Sequence, residues 1–298
     1  MTERRRSVRV PASSATLGPG FDSLAAALGV YLELDVAEAG EFSVDAGGDD
    51  VPLDRSNLCV RAFESLHSAA GLRFEARNEI PLARGMGSSA AAIVAGLFAA
   101  DHLYELGNSR DELFAKAVEI EGHPDNVAAA VYGGFVACPP PAEAKAPGAS
   151  GRPVRIEPPE GVEGILVIPS EQVSTSAARE ALPAEVPLAD ATLNVAAAAQ
   201  LVLGLERSDP GLIARGLADR LHQTHRGPLY PRSLELVSKA TELGAIGATI
   251  SGAGTSVLVW SWWQDTGRVS EAVSRASDGW ADVQRVIFSP YGAEVTSL

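Results

Sequence analysis

Hydrophobic and polar residues alternate with the periods of strands and helices through the first half of the chain. Residues 31–36 carry leucine or valine at every second position, which predicts a strand with one buried face. Residues 74–79 alternate in the same way and predict a half-exposed strand. Residues 88–104 are rich in Ala, Val, Ile and Leu and predict a long helix. The other elements predicted in this half are a strand at 8–10, a short helix beginning at Asp22, a helix at 57–70, and a helix from a capping box at Ser109 and Glu112 to about Glu121.

The second half begins with a continuous apolar run at 165–168, which predicts a buried strand. The longest uncharged stretch, 244–264, is long enough to cross a membrane, but its glycines and polar centre favour two buried strands joined by a loop. Further patterns predict helices at 188–205, 210–222, 233–243 and 268–276 and strands at 248–251, 256–260 and 283–288. This order predicts α+β layers in both halves. Residues 139–153, rich in Pro, Ala and Gly, predict an exposed loop near the boundary between domains of residues 1–155 and 156–298.

The composition is that of an ordinary globular protein, with 46% hydrophobic and 21% charged residues among 298. This length leaves room for two modest domains that share one cleft. The net charge of −14 argues against nucleic acid or an anionic membrane as a partner. No apolar segment follows the basic residues 4–6, so we expect a solvated tail instead of a signal peptide, and a cytoplasmic protein. We expect Cys59 and Cys138 to be free buried thiols.

Residues 80–91 contain the chemistry that points most directly to a function. Gly85 and Gly87 stand in a turn, and Ser88 and Ser89 open the helix that follows. Glycines let backbone N–H groups approach an anion, and the helix adds its free N-terminal donors and the positive end of its dipole. The segment therefore predicts a phosphate cradle. The same glycines also fit the dinucleotide pattern G-x-G-x-x-A, but that pattern should follow a hydrophobic parallel strand.

This segment resembles the ATP-binding signature of the GHMP kinases, the family of galactokinase, homoserine kinase, mevalonate kinase and phosphomevalonate kinase. The glycine-rich segment 247–256 resembles the third motif of the family, with Thr255 where most members have proline. Further segments resemble motifs that are specific to the homoserine kinases. They are residues 11–22, which end in L-G-P-G-F-D, residues 121–128, which read E-G-H-P-D-N-V-A, and the arginine-containing stretches 173–179 and 220–231.

The resemblance implies the two-domain α+β architecture of the GHMP kinases, with an N-terminal domain like the second domain of ribosomal protein S5 and a ferredoxin-like C-terminal domain. It implies ATP-dependent phosphorylation of the side-chain hydroxyl of homoserine to O-phospho-L-homoserine, in threonine biosynthesis. ATP and Mg²⁺ would be the cofactors. The partners would be ATP and a small amino-acid substrate, with no nucleic acid and no membrane, and a homodimer is left open.

The resemblance also implies roles for individual residues. The ATP site would consist of Asn57, Pro81, Leu82, Ala83, Arg84, Gly85, Met86, Gly87, Ser88, Ser89, Ala90, Ala91, Gly252 and Gly254. The substrate would contact Thr16, Asp22, His123, Thr175, Arg179 and Arg226, and the two arginines would clamp its carboxylate. Ser88 and Glu121 would hold Mg²⁺. The candidate catalytic residues are Asp22, Glu121, Asp125 and Asn126, with no general base assigned.

Thr16 stands where homoserine kinases carry asparagine, and a hydroxyl cannot reproduce the paired donor and acceptor of an amide. A related kinase that acts on another hydroxy-amino acid or a specialised metabolite is therefore a second hypothesis. A nucleotide-binding regulator without turnover is a third, and the presence of Asp22, Ser88, Glu121 and both arginines counts against it. A dinucleotide-binding oxidoreductase is a fourth, and it would need a nicotinamide-binding signal.

Overall fold

The computed structural model describes residues 4–47, 51–145 and 151–297, which form two β-sheets with helices packed on them. The strands are β1 (Arg5–Ala15), β2 (Leu24–Glu38), β3 (Ser43–Asp45), β4 (Leu72–Asn78), β5 (Phe135–Ala137), β6 (Val154–Ile156), β7 (Val162–Pro169), β8 (Gly247–Ile250), β9 (Val257–Trp262), β10 (Ala281–Val286) and β11 (Glu294–Ser297). The helices are α1 (Leu58–Glu64), α2 (Ser88–Tyr104), α3 (Arg110–Glu121), α4 (Asp125–Tyr132), α5 (Pro141–Ala144), α6 (Thr175–Glu180), α7 (Leu188–Arg207), α8 (Pro210–Gly216), α9 (Gln223–Arg226), α10 (Pro231–Lys239) and α11 (Thr266–Ala276).

The first sheet runs in the order β11-β1-β2-β4-β3, and β5 and β6 extend it beside the start of β2. Helix α2 packs on β1 and β2 and carries much of the core of this half. At Gly96 the backbone of α2 lies so close to α1 that a Cβ would come within 2.1 Å of the carbonyl oxygen of Cys59. This contact explains the glycine in the middle of the helix, because any side chain there would push α2 away from α1.

The basic segment near the N-terminus is not a solvated tail, and that prediction is wrong for Arg5 and Arg6. Both residues belong to β1, which pairs with β2 and β11. Arg5 Nη2 lies 2.9 Å from Oδ2 of Asp35, a buried residue of β2, and Arg77 Nη1 lies 3.5 Å from the same oxygen. A buried carboxylate needs such partners because it has lost its hydration. The basic residues therefore complete the sheet.

The second sheet is antiparallel throughout, in the order β10-β7-β9-β8. Helices α10 and α11 bury apolar side chains against it. Three rings join the two sheets, because Phe135 of β5, Trp260 of β9 and Phe288 after β10 have centroids 4.7 to 5.7 Å apart. The halves therefore share one hydrophobic core, which holds the walls of the cleft between them in place.

Three differences from the predicted elements affect the site. The helix predicted at 57–70 ends at Glu64. The helix predicted at 210–222 ends at Gly216, because the Asp219 carboxylate accepts hydrogen bonds from the backbone N–H groups of the residues that open α9. Asp22 does not begin a helix. It lies in a turn with φ of 53°, and β2 begins two residues later.

The sequence pattern does not predict four short strands or the short helices α5, α6 and α9. Strands β3, β5, β6 and β11 contain three or four residues each, too few for an alternating pattern to be recognised. The loop predicted at 139–153 contains the short helix α5 and leads into β6, and its residues 146–150 lie outside the described residues.

Among the described helices, α7 is long and apolar enough to cross a membrane by length and composition. It packs against α8, where a Cβ on Gly216 would lie 2.4 Å from the backbone nitrogen of Leu201. The opposite face of α7 exposes Leu188, Val195 and Leu203. One such helix is weak evidence for a membrane protein.

Both cysteines are free thiols, as predicted, but the prediction that both are buried holds only for Cys59. Cys59 is buried and Cys138 is partly exposed. Burial raises the pKa of the Cys59 thiol to about 12, so this thiol stays protonated and unreactive at neutral pH.

Candidate active site

A cavity of about 710 Å³ is lined by residues from both halves of the molecule. Its size is typical of small-molecule sites. Most of the predicted site residues line it, although they come from segments far apart in the sequence. They are Thr16, Asp22, Asn57, Pro81, Leu82, Ala83, Gly85, Met86, Gly87, Ser88, Ser89, Glu121, His123, Asp125, Asn126, Thr175, Arg179, Arg226, Gly252 and Gly254.

Three residues predicted to bind ATP are placed differently. Ala90 and Ala91 have no exposed surface, because α2 turns them into the core of the first half. Arg84 donates from Nε to the carbonyl oxygen of Pro169 at 2.6 Å. The side chain of Arg84 therefore links the glycine-rich loop to the end of β7, and a contact with ATP by any of the three stays a prediction.

The glycine-rich loop before α2 requires glycine at two positions. Gly87 is the N-cap of α2 with φ of 69°, and no side chain caps this helix. A Cβ on Gly87 would lie 2.0 Å from Ser13 Oγ, and a Cβ on Gly85, where φ is 72°, would lie 2.1 Å from the carbonyl oxygen of Ser251. The first N–H groups of α2 have no intrahelical acceptor. This uncapped helix N-terminus on the cavity wall fits an anion such as phosphate.

The glycine-rich loop after β8 docks onto the loop before α2. Ser251 Oγ donates to the carbonyl oxygen of Gly85 at 2.7 Å, and Thr16 Oγ1 donates to that of Gly252 at 3.1 Å. Thr16 has φ of 54°, a conformation in which asparagine is enriched and a β-branched residue is an outlier. The hydroxyl that replaces the family's amide therefore joins the two halves of the molecule.

Glu121, the last residue of α3, lies beside the N-terminus of α2. Its Oε1 accepts a hydrogen bond of 2.5 Å from Ser89 Oγ. The sequence predicts Ser88 as the metal-binding serine, whereas the structure places the neighbouring hydroxyl on the carboxylate. A carboxylate and a hydroxyl are oxygen ligands suited to Mg²⁺, which keeps several waters when it binds. Within the described residues, no group of three or more His, Cys, Asp or Glu side chains suits a metal ion.

The turn between α3 and α4 brings a second group of polar side chains to the cavity. Asp125 is buried, and burial raises the pKa of its carboxyl group against the opposing attraction of His123, while the nearby charge of Asp22 raises it further. His123 Nδ1 lies 3.8 Å from Asp125 Oδ1. Asn126 Oδ1 accepts a hydrogen bond of 2.8 Å from Ser13 Oγ.

The two predicted arginines lie together at the cavity. Arg179 of α6 donates from both terminal nitrogens to the two carboxylate oxygens of Asp22, at 3.0 and 2.8 Å. Arg226 of α9 is buried and donates from Nε to the carbonyl oxygen of Ala178 at 3.0 Å. Both guanidinium groups approach the ring of Phe21, with their central carbons 5.5 and 5.2 Å from its centroid. This pair of cations fits a carboxylate-bearing ligand.

Two family models match the chain. The model of the GHMP kinases N terminal domain matches residues 57–134, and the GHMP kinases C terminal model matches residues 201–282. The chain belongs to the GHMP kinase family. The family resemblance predicted from the sequence is thereby confirmed, and the fold is the two-domain GHMP kinase fold of mixed α and β content.

Several homoserine kinases are similar to this chain. A homoserine kinase of Thermus thermophilus is 43% identical over 256 residues, which cover 83% of this chain and 84% of that protein. The homoserine kinase of Streptomyces avermitilis is 39% identical over a match that covers 98% of this chain and 95% of that protein. The solved homoserine kinase of Cytophaga hutchinsonii superposes with a TM-score of 0.86 at 28% identity, over 99% of this chain and 98% of that one. The mevalonate kinase of Methanococcus jannaschii, with a TM-score of 0.69 at 13% identity over 95% of this chain and 98% of that one, shares the fold.

Sequence reasoning misses the residues that hold the site side chains of this GHMP kinase. Asp219 accepts hydrogen bonds from the Asn194 side chain and from backbone N–H groups at the start of α9, the helix that carries Arg226. His222 Nε2 lies 2.7 Å from the carbonyl oxygen of Gly18, and its Nδ1 lies 3.4 Å from Arg226 Nη1. The contacts of Asp219 with Asn194 and of His222 with Gly18 join residues 25 and 204 positions apart, so no local pattern signals them.

Proposed function

We propose that this GHMP kinase transfers a phosphoryl group from ATP to the side-chain hydroxyl of L-homoserine, giving O-phospho-L-homoserine in threonine biosynthesis. The homoserine kinase relatives, 39 to 43% identical over most of the chain, support this function. The structural observation that carries it is one cavity lined both by the uncapped N-terminus of α2 and by Arg179 and Arg226. The first feature fits phosphate and the second fits the carboxylate of an amino acid.

ATP would bind along the part of the cavity that is lined by the first half of the chain. GHMP kinases use ATP, and its phosphates would accept hydrogen bonds from the backbone between Gly85 and Ser89. Asn57 caps α1 through its Oδ1, which accepts from the N–H of Cys59 at 2.9 Å. It lines the cavity together with the apolar residues Val51 and Pro52, so this end suits the adenine base.

Mg²⁺ would be held by Glu121 and Ser88, and the contact between Ser89 and Glu121 makes Ser89 a second candidate. The ion would neutralise part of the phosphate charge during transfer. Variants Ser88→Ala and Ser89→Ala distinguish the two hydroxyls, because only loss of the one that binds the ion should raise the Mg²⁺ concentration needed for half-maximal rate.

The acceptor would be held by charged groups at its backbone end. Its carboxylate would bind Arg179 and Arg226, and its ammonium group would bind Asp22. His123, Thr175 and Thr16 would lie against the remaining surface of the amino acid. Asp125 and Asn126 would flank the transferring phosphoryl group. Phosphoryl transfer depends mainly on alignment and on stabilisation of charge, so we assign no general base.

A second candidate is the same reaction on another small hydroxy-amino acid, which the substitution at Thr16 favours. The domain boundary near residue 155 and a cytoplasmic location are further parts of the proposal, and a homodimer stays open. The two sheets support a boundary just after β6, between Ile156 and the start of β7 at Val162, although β11 at the end of the chain returns to the first sheet.

The purified protein, supplied with Mg²⁺ and ATP, should release ADP with L-homoserine, and mass spectrometry should show one added phosphoryl group on that amino acid. L-Threonine and L-serine serve as competing acceptors. Activity on one of these and none on homoserine would replace the named substrate and retain the kinase. If none of the three amino acids is phosphorylated, the proposed function is contradicted.

The carboxylate clamp has its own test in the replacement of Arg226 by glutamine. A charge-assisted hydrogen bond contributes about 1.5–3 kcal/mol, so the KM for homoserine should rise roughly 10- to 150-fold while the KM for ATP changes little. Arg220→Gln is the matched control, because Arg220 is an exposed arginine of the same segment that pairs with Asp190 at 3.0 Å. Equal losses for ATP and homoserine in Arg226→Gln would contradict the clamp.

A further inference from the structure

The guanidinium group of Arg179 is held by a carboxylate of the chain itself. Both carboxylate oxygens of Asp22 accept hydrogen bonds from it, at 3.0 and 2.8 Å, in the paired arrangement that a guanidinium makes with a carboxylate ligand. The two residues are 157 positions apart, and their side chains are 39% and 20% exposed for Arg179 and Asp22. The contact therefore lies in the cavity, within reach of a ligand.

We propose that Asp22 occupies Arg179 in the place of the substrate's carboxylate, and that substrate binding exchanges the partners of both side chains. The substrate carboxylate takes Arg179, and the released Asp22 takes the substrate ammonium group. This inference rests on the proposed function for the identity of the acceptor. It makes Asp22 a specificity-determining residue, which selects ligands that carry both charges.

Arg226 shows that the exchange is confined to one arginine. Its Nε donates to the carbonyl oxygen of Ala178, and its Nη1 lies 3.3 Å from that of Gly252. Within the described residues, neither contact is an ion pair, and no hydrogen bond is made by Nη2. Arg226 is therefore a fixed half of the clamp, whereas Arg179 becomes available only when Asp22 leaves it.

A ligand with a carboxylate and no ammonium group would leave Asp22 without a partner. This carboxylate is four-fifths buried and is close enough to the buried Asp125 to influence its ionisation. Leaving the largely buried carboxylate of Asp22 without its cation is unfavourable, because its charge is then neither paired nor fully hydrated. A simple hydroxy acid is therefore rejected by repulsion and desolvation in addition to its missing contact.

A ligand with an ammonium group and no carboxylate meets the opposite problem. Such a ligand would have to take Asp22 from Arg179 and leave the guanidinium group unpaired. Its ammonium group would then be a second cation beside that guanidinium group. Only a zwitterion supplies a new partner to each side chain. The ion pair thus makes recognition of the two charges of an amino acid mutually dependent.

The test compares the binding of L-homoserine and of 4-hydroxybutanoate, its analogue without the ammonium group, by calorimetry in the absence of ATP. Wild-type protein should bind homoserine and bind 4-hydroxybutanoate at least 100-fold more weakly. Asp22→Asn should weaken homoserine roughly tenfold or more and tighten 4-hydroxybutanoate roughly tenfold, because Arg179 no longer has to lose a charged partner. The selectivity between the two ligands should therefore fall by about 100-fold.

Asparagine and glycine both tolerate the φ of 53° at this position, so Asp22→Gly is the second variant if Asp22→Asn does not fold. Glu163→Gln is the matched control. Glu163 pairs with Arg285 at 2.8 Å on the second sheet, with 29% of its side chain exposed, and it does not line the cavity. Its substitution should leave both affinities unchanged.

Equal weakening of both ligands in the Asp22 variants, or weaker binding of 4-hydroxybutanoate alone, would overturn the exchange. The assay of the wild-type protein with Mg²⁺, ATP and homoserine reports separately on the proposed function. A protein that phosphorylates homoserine while its Asp22 variants keep full selectivity would retain the function and lose the exchange.

Discussion

Replacing Gly87 by alanine adds one methyl group to the loop that we assign to the ATP phosphates. The new Cβ would lie 2.0 Å from Ser13 Oγ and 3.0 Å from Asn126 Oδ1, at a residue with φ of 69°. Ser13 Oγ would have to move, and its hydrogen bond of 2.8 Å to Asn126 would break. The substitution therefore disturbs both the start of α2 and the first turn of α4, which contains Asn126.

The expected loss of stability has two parts. A side chain in the left-handed conformation costs about 1–2 kcal/mol, and the lost hydrogen bond costs about 0.5–1.5 kcal/mol. We expect the free energy of unfolding to fall by about 1.5–3.5 kcal/mol in chemical denaturation. We also expect kcat/KM for ATP to fall by about 100-fold, because a shift of about 1 Å in a positioning group has an effect of this size.

Gly107→Ala is the control, because Gly107 has φ of 78° and a Cβ there would meet no atom within 4 Å. This variant should lose only the conformational part, about 1–2 kcal/mol, and keep its affinity for ATP. Adding Ser13→Ala to Gly87→Ala should restore part of the ATP affinity, since it removes the hydroxyl that the new Cβ meets.

Calorimetry of ATP binding tests whether this loop binds the ATP phosphates or serves only as a turn before α2. A folded Gly87→Ala protein that binds ATP as tightly as wild type would refute the assignment of this loop to the phosphates. Equal destabilisation of Gly87→Ala and Gly107→Ala would show that the contact with Ser13 does not limit this position.

Four further predictions concern metal binding, pH dependence and the substituted position in the substrate site. Glu121→Gln should lower turnover strongly, with partial recovery at high Mg²⁺, because the amide keeps the shape and removes the charge. Burial lowers the pKa of His222 below its ordinary 6.5. Unfolding therefore takes up a proton below that pH, and the stability of the protein should fall as the pH decreases from about 6.5. His222→Gln should flatten this dependence in thermal unfolding. Burial raises the pKa of Asp125 above its ordinary 3.8, so its contribution to stability is lost as the pH rises through the folded pKa, and Asp125→Asn should raise the melting temperature at pH 7 while lowering activity. Thr16→Asn should raise the melting temperature, because asparagine tolerates φ of 54° better than threonine does, and it should improve homoserine phosphorylation.

Each of these predictions can fail in a specific way. Unchanged activity and Mg²⁺ dependence in Glu121→Gln would leave Glu121 as a helix-end residue. An unchanged slope of stability with pH in His222→Gln would show that another group titrates there. A less stable Asp125→Asn protein at pH 7 would mean that the charged carboxylate is favourable in place. Weaker homoserine turnover in Thr16→Asn would indicate a different native acceptor.

Local signals predict the elements that carry the phosphate site. The capping box of Ser109 and Glu112 occurs as expected, with its reciprocal hydrogen bonds, and α2 spans Ser88 to Tyr104 as its composition predicts. Glycines at 85 and 87 are needed for backbone conformation, which a turn before a helix signals directly. The capping box and the extent of α2 depend on residues within one or two helical turns, so the local sequence specifies them.

The charge run at the N-terminus shows where local reasoning fails. Residues 4–6 have no hydrophobic pattern, and Arg5 and Arg6 lie in β1, where Arg5 bonds to Asp35, 30 positions away. The turn at Asp22 fails for a related reason. An aspartate can cap a helix or lie in a turn. Asp22 lies in a turn because β2 begins two residues later, and its carboxylate pairs with Arg179 instead of capping a helix.

The sequence by itself determined the family, the order of most elements and the segments that surround the cavity, because these depend on local periodicity and on motifs of consecutive residues. Only the tertiary structure decided which side chains meet. Ser89 contacts Glu121 across 32 positions, Thr16 reaches Gly252 across 236, and Arg179 is held by Asp22 across 157. The first of these contacts arises when α3 packs on α2, and the other two arise when the two sheets pack through Phe135, Trp260 and Phe288. No local periodicity records that packing.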